Sequence, residues 1–121
     1  MTLTSRTALW LPPFVLMGVI FFFSAQPDLN SGLGLADLIG RKIIHASEYA
    51  LLTFLWWRAF VRTSFRRAAP LIGFSLAVGY AGTDEFHQTF IHGRDGSPVD
   101  VCIDAFGAGL CALFLHRRTR R

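Results

Sequence analysis

Charged residues are scarce in this sequence, and acidic residues are the scarcer kind. Asp, Glu, Lys and Arg together make up 17% of the 121 residues, with 8 acidic against 12 basic side chains. Soluble proteins average about 25% charged residues. Hydrophobic residues reach 52%, with 12 Phe, and the mean hydropathy is +0.41. A soluble domain of this length has too little interior to bury so much apolar surface. The composition predicts one small polytopic membrane domain over residues 1–121.

The sequence also lacks the features of disulfide-bonded proteins and of two common classes of hydrolase. The two cysteines, Cys102 and Cys111, lie in one apolar stretch, where their spacing corresponds to about 13 Å of rise along a helix. That distance is too large for a disulfide, so none is expected. The sequence also has no internal repeat, no Gly-x-Ser-x-Gly motif and no His-Glu-x-x-His motif. Covalent catalysis at such a serine and zinc-protease chemistry are therefore disfavoured.

Four apolar stretches reach the length of about 18 residues that a membrane-spanning helix needs. They cover about residues 8–25, 43–61, 69–91 and 98–116. The predicted fold is an all-α, four-span transmembrane helical bundle, with a short interfacial turn over residues 35–41. The first stretch is longer than the apolar region of a typical signal peptide, so we interpret it as a retained span.

Arginine predicts the direction of the spans. Eight arginines lie in the second connection and in the C-terminal tail: Arg58, Arg62, Arg66, Arg67, Arg117, Arg118, Arg120 and Arg121. Because basic residues favour the cytoplasmic side, both termini are predicted to be cytoplasmic. The same placement explains the basic net charge without nucleic-acid binding, which we do not expect.

Ionisable residues collect at the opposite, outer ends of three stretches, where Ser24 and Gln26 also close the first. A charged group near the bilayer centre costs about 2.5–3.5 kcal/mol, so such residues are rare in membrane helices without a role. Spacings of three, four and seven place them on one stripe of each helix, with Glu48 beside its stripe and Glu85 at the margin of another. The candidate site residues are Lys42, His45, Glu48, Tyr49, Asp84, Glu85, His87, Gln88, Arg94, Asp100 and Asp104. We predict that they meet in one site just beneath the outer membrane boundary.

The residue types indicate two kinds of role. Carboxylates and imidazoles suit general acid–base catalysis, and the candidates for it are His45, Glu48, Asp84, Glu85 and His87. Substrate binding is predicted for the other six, Lys42, Tyr49, Gln88, Arg94, Asp100 and Asp104. The carboxylates outnumber the fixed cations, which calls for proton uptake, protonated histidines or a divalent cation such as Mg²⁺. Whether a metal binds stays open, and purely structural contacts between helices are the alternative to any site.

Three motifs carry a resemblance to a known family. They are Lys42-Ile-Ile-His45-Ala-Ser-Glu48-Tyr49, then Thr83-Asp84-Glu85-Phe-His87-Gln88 continuing to Gly93-Arg94, and Asp100-Val-Cys-Ile-Asp104. In this order and spacing, over residues 24–107, the chain resembles the VanZ-like family, although Asp104 stands where many relatives carry Asn. The resemblance implies a multi-pass protein of the bacterial cytoplasmic membrane that acts on the cell envelope and is associated with resistance to the glycopeptide teicoplanin. It supports the same site residues and supplies no mechanism.

Three functions fit these observations. The first is a non-enzymatic protein whose outer-leaflet site binds a lipid-linked or anionic headgroup, with membrane lipids or a lipid-linked envelope precursor as its partner. The second is a membrane-embedded hydrolase or transferase that acts on phosphate-bearing lipids by acid–base chemistry. A proton- or ion-coupled transporter is disfavoured, because four short helices leave little room for an enclosed path unless the protein forms a homo-oligomer.

Overall fold

The structure is a computed structural model that describes residues 3–24, 35–90 and 98–120. Over these ranges the chain forms α-helices and no strand. The helices are α1 (Leu3–Ser24), α2 (Leu35–Phe60), α3 (Ala69–Gln88) and α4 (Pro98–Thr119). A single 3₁₀ turn, Arg66–Ala68, precedes α3. The predicted all-α, four-helix architecture is confirmed.

The predicted turn over residues 35–41 is wrong, because α2 already begins at Leu35 and continues without a break. This stretch contains no proline and is rich in good helix formers, so the helix extends through it. The first helix likewise starts earlier than its apolar stretch and runs through Pro12 and Pro13.

The helical hydrogen bond that Pro12 removes from α1 is replaced by a donor from a neighbouring helix. A proline has no N–H, so the carbonyl four residues before it loses its helical hydrogen bond. Pro12 therefore frees the carbonyl of Ala8, and the Arg58 guanidinium of α2 donates to that oxygen. The sequence identifies Arg58 only as a topology determinant; the structure gives it this second role.

The core lies where α2 faces the other three helices, and its most extensive contacts are with α4 and α3. Ile20, Tyr49, Leu52 and Trp56 pack there against small side chains, namely those of Ala77, Ala81 and Ala108. A Cβ added at Gly107 would lie 2.3 Å from the backbone oxygen of Ala46, and one at Gly73 would lie 2.7 Å from that of Thr53. Glycine at these two positions allows α4 and α3 to contact α2 backbone to backbone.

Much of the outer surface is apolar, as a lipid-facing surface requires. Among the described residues, two helices are long and apolar enough to cross a membrane, over Thr4–Phe23 and Val99–Thr119. Only 17% and 22% of these segments are buried, whereas the core helix of a soluble protein is mostly covered. The exposed large side chains on these two helices include Leu11, Phe14, Val19, Phe22, Phe106, Leu110 and Phe114.

Candidate functional site

An ion pair joins α2 to α4 at the end of the bundle where α4 begins. Lys42 Nζ contacts Asp100 Oδ1, and Asp100 lies in the first turn of α4. The two side chains are 33% and 32% exposed. This pair is therefore accessible from outside the bundle, and a ligand can compete for either partner.

A buried hydrogen bond joins α2 to α3 deeper in the bundle. Tyr49 donates its hydroxyl to Asp84 Oδ2 at 3.3 Å. Tyr49 has no exposed surface, and Asp84 is 3% exposed. Tyr49 follows Lys42 by two helical turns, about 10 Å along the axis, so the polar residues extend inward from the ion pair.

Carboxylates from three helices surround Asp104. Its side chain on α4 is buried, as are Asp84 and Glu85 on α3. Asp100, Glu85, Asp84 and Glu48 all act electrostatically on Asp104. Glu85, predicted at the margin of its stripe, thus faces inward with its neighbour. Several carboxylates in a medium of low dielectric constant repel one another strongly, so this group requires positive partners or hydrogen-bond donors.

The two predicted histidines have different neighbours: His45 lies beside a carboxylate, and His87 lies against an aromatic ring. His45 Nδ1 is 3.8 Å from Glu48 Oε2, one turn along α2. His87 stacks on Phe21 of α1 with 4.4 Å between ring centroids. Its Nδ1 is buried and has no hydrogen-bond partner within the described ranges. His87 therefore brings α1 to the edge of the site.

Sequence reasoning missed two aromatic neighbours of these residues. Phe21 covers His87, and Tyr80 lies 6.4 Å from Tyr49 between ring centroids. Tyr80 also donates to the carbonyl of Met17 at 2.6 Å, which ties α3 to α1. Tyr80 precedes Asp84 by four residues, and this spacing alone predicts that the two side chains share one face of α3.

The structure does not describe every residue that the sequence predicts for the polar end. Arg94 and Gln26 lie outside the described residues, and so do the side chains of Gln88 and Ser24. Among the residues that are described, no three His, Cys, Asp or Glu side chains are arranged to hold a metal ion. The site that can be built consists of Lys42, His45, Glu48, Tyr49, Asp84, Glu85, His87, Asp100 and Asp104, all at one end of the bundle.

Comparison of the sequence with models of known protein families finds a match. The model of the VanZ/LLP1 family matches residues 7–118. The chain belongs to this VanZ-like family. The match extends the motif resemblance to almost the entire chain, including all three helices that supply the carboxylates. Together with the two candidate membrane helices, family membership indicates a VanZ-like membrane protein. No curated protein and no solved structure matches the chain.

Proposed function

We propose that this VanZ-like protein binds the headgroup of a lipid-linked envelope precursor at the polar end of its helix bundle, and thereby lowers access of teicoplanin to its target. The observation that carries the proposal is the convergence of Lys42, Tyr49, Asp84, Asp100 and Asp104 from three helices. Polar groups held together in a membrane bundle, rather than spread over it, are typical of a binding site.

The chemistry of the cluster fits a headgroup that carries sugars or peptides together with phosphate. Carboxylates are strong hydrogen-bond acceptors and match hydroxyl and amide donors. Lys42 is the matching cation for a phosphate, and its partly exposed pair with Asp100 can exchange one anion for another. The buried acids then bind the uncharged donors while the lysine binds the phosphate.

The proposal includes a membrane arrangement in which all four helices cross the bilayer. α2 has 26 residues and α3 has 20, lengths of about 39 and 30 Å, and the hydrocarbon core is about 30 Å thick. With the arginine-rich end in the cytoplasm, the carboxylates lie in the outer half of the bacterial cytoplasmic membrane. Glycopeptides act at that surface, so a bound and masked headgroup is protected there.

Amide substitutions test the binding proposal. Glu48→Gln and Asp84→Asn keep the side-chain shape and remove the charge. We expect each to weaken binding of a polyprenyl-diphosphate-linked saccharide to the purified protein by at least about tenfold, since a hydrogen bond to a charged group contributes roughly 1.5–3 kcal/mol. Teicoplanin resistance of complemented deletion cells should fall in parallel.

Neighbouring positions on the outward faces supply matched controls. Ser47 and Thr83 are exposed and donate to carbonyls of their own helices, Ile43 at 2.8 Å and Gly79 at 3.0 Å. Ser47→Ala and Thr83→Ala should leave binding and resistance unchanged. Wild-type binding and resistance in both Glu48→Gln and Asp84→Asn would exclude the carboxylate cluster as the site.

One observation favours the alternative of a membrane-embedded hydrolase or transferase. His87 carries a buried Nδ1 with no hydrogen-bond partner in the described part of the chain, and it lies one turn beyond Asp84. Such an imidazole is suited to take or give a proton. In this case His87→Gln abolishes turnover but not lipid binding, and cells that lack the protein accumulate one phosphate-bearing lipid. A binding protein retains protection after the same substitution and leaves lipid composition unchanged.

A further inference from the structure

A pocket of about 650 Å³ lies at the opposite end of the bundle from the carboxylates. It is lined by Arg66, Arg67, His116, Thr119 and Arg120, and we call it the basic pocket. Two of these arginines form the 3₁₀ turn before α3, and the other three residues lie around the end of α4. Asp84 follows the start of α3 at Ala69 by 15 residues, so about 22 Å along the helix axis separates the two sites.

The sequence on either side of the arginines of the basic pocket contains no acidic residue. Residues 49–83 and 105–121 contain no Asp or Glu. Guanidinium groups that surround a concave volume without carboxylates attract an anion, and their planar donor pattern matches phosphate. The charge pattern therefore predicts an anionic ligand.

One wall of the basic pocket is fixed by hydrogen bonds. Trp57 Nε1 on α2 donates to Thr119 Oγ1 at 2.8 Å, and the same hydroxyl donates to the carbonyl of Leu115 at 2.7 Å. These bonds tie the end of α4 to α2. Thr119 is thereby fixed before a ligand enters, and a lining residue that is already fixed loses less entropy on binding.

An exposed apolar side chain next to the basic pocket indicates that the ligand is a lipid. Phe65 directly precedes Arg66 and is 58% exposed. An exposed phenylalanine beside arginines offers one surface for acyl chains and another for a charged headgroup. A free phosphate ion would use only the second surface.

We propose that the basic pocket binds the phosphate headgroup of an anionic glycerophospholipid, whose acyl chains lie against Phe65. The volume falls in the range of about 300–1,000 Å³ that is common for small-molecule sites. This binding is independent of the function proposed for the carboxylate end, because the two sites share no residue.

The test compares two double variants of the full-length protein in detergent. Arg66→Gln with Arg120→Gln removes two charges from the pocket. Arg117→Gln with Arg118→Gln removes two from exposed positions on the same helix end that do not line it. We expect binding of short-chain phosphatidylglycerol to weaken by roughly thirtyfold in the first pair and by less than about threefold in the second. Phosphatidylcholine and inorganic phosphate should bind the wild type more weakly than phosphatidylglycerol does.

Three results would overturn the proposal. Equal loss in both double variants would mean that a diffuse positive field, not the pocket, binds the lipid. Inorganic phosphate that binds as tightly as phosphatidylglycerol would identify a free-anion site. Equal binding of phosphatidylcholine would exclude selection for an anionic lipid. Circular dichroism and gel filtration verify folding, and Arg67→Gln read against Arg117→Gln replaces the double variants if either is misfolded.

Discussion

Asp104 is a buried carboxylate with other carboxylates around it. It is 4% exposed, and the carboxylates of Asp100, Glu85, Asp84 and Glu48 all act on it. A charge there is opposed by several others in surroundings that screen poorly. Asparagine has nearly the same shape and no charge, so it would remove this repulsion without changing the packing.

Two identical substitutions one helical turn apart should therefore have opposite effects. We expect Asp104→Asn to raise the free energy of unfolding in detergent by about 1–2 kcal/mol, because it relieves repulsion. Asp100→Asn should lower it by about 1 kcal/mol, because it weakens the ion pair with Lys42. Thermal unfolding followed by circular dichroism measures both. A lower free energy of unfolding in Asp104→Asn would show that repulsion among the carboxylates does not control stability here.

At the scale of helices, the position of the site depends on how closely α4 approaches α2. Gly107 lies one turn after Asp104, and its added Cβ would meet the backbone of Ala46 at 2.3 Å. Backbone atoms cannot change rotamer to relieve a clash, so α2 and α4 would have to move apart. Separation at this level would also disturb the contact between Lys42 and Asp100.

Alanine substitutions at Gly107 and Gly109 of α4 should separate the steric clash with α2 from the change in helix propensity. Gly107→Ala should destabilise the bundle by about 1–3 kcal/mol through overpacking. At Gly109 an added Cβ meets only the Phe74 ring at 3.5 Å. Gly109→Ala should therefore be neutral or stabilising by up to about 1 kcal/mol, since alanine favours helix more than glycine does. Comparable loss in both variants would refute the close approach at Gly107.

Sequence reasoning identified the helices and the polar end, but not the pairs of residues that meet. Apolar length predicts a helix, and spacing of three or four predicts which residues share a stripe. Neither tells which stripes face each other, so Lys42 with Asp100 and Tyr49 with Asp84 emerged only from the structure. The start of α2 was missed because Asp37, Gly40 and Arg41 interrupt the apolar pattern before residue 43. The link from Arg58 to Ala8 joins residues 50 positions apart and has no local signature.

For the whole molecule, the two ends differ in charge. The carboxylates of α2, α3 and α4 gather at one end, and the basic pocket with its neighbouring arginines occupies the other. Such a difference orients a membrane protein during insertion, because basic segments remain on the cytoplasmic side. Orientation thus decides which leaflet each site meets.

Cysteine labelling tests this orientation. In a background with Cys102→Ser and Cys111→Ser, single cysteines are introduced by Ser64→Cys in the second connection or by Asp95→Cys in the third. An impermeant maleimide should label Asp95→Cys in intact cells, whereas Ser64→Cys should react only after the membrane is opened. The reverse pattern would place the carboxylate site in the cytoplasmic half and contradict the masking function.

The bond from Arg58 to Ala8 has a consequence for biosynthesis. Pro12 leaves the Ala8 oxygen without a helical donor, and the donor that replaces it belongs to a helix made 50 residues later. While the ribosome is still translating that interval, the first helix must meet its hydrogen-bonding need from water, lipid headgroups or the insertion machinery. This hydrogen bond can form only after α2 has been synthesised, so α1 completes its packing together with α2.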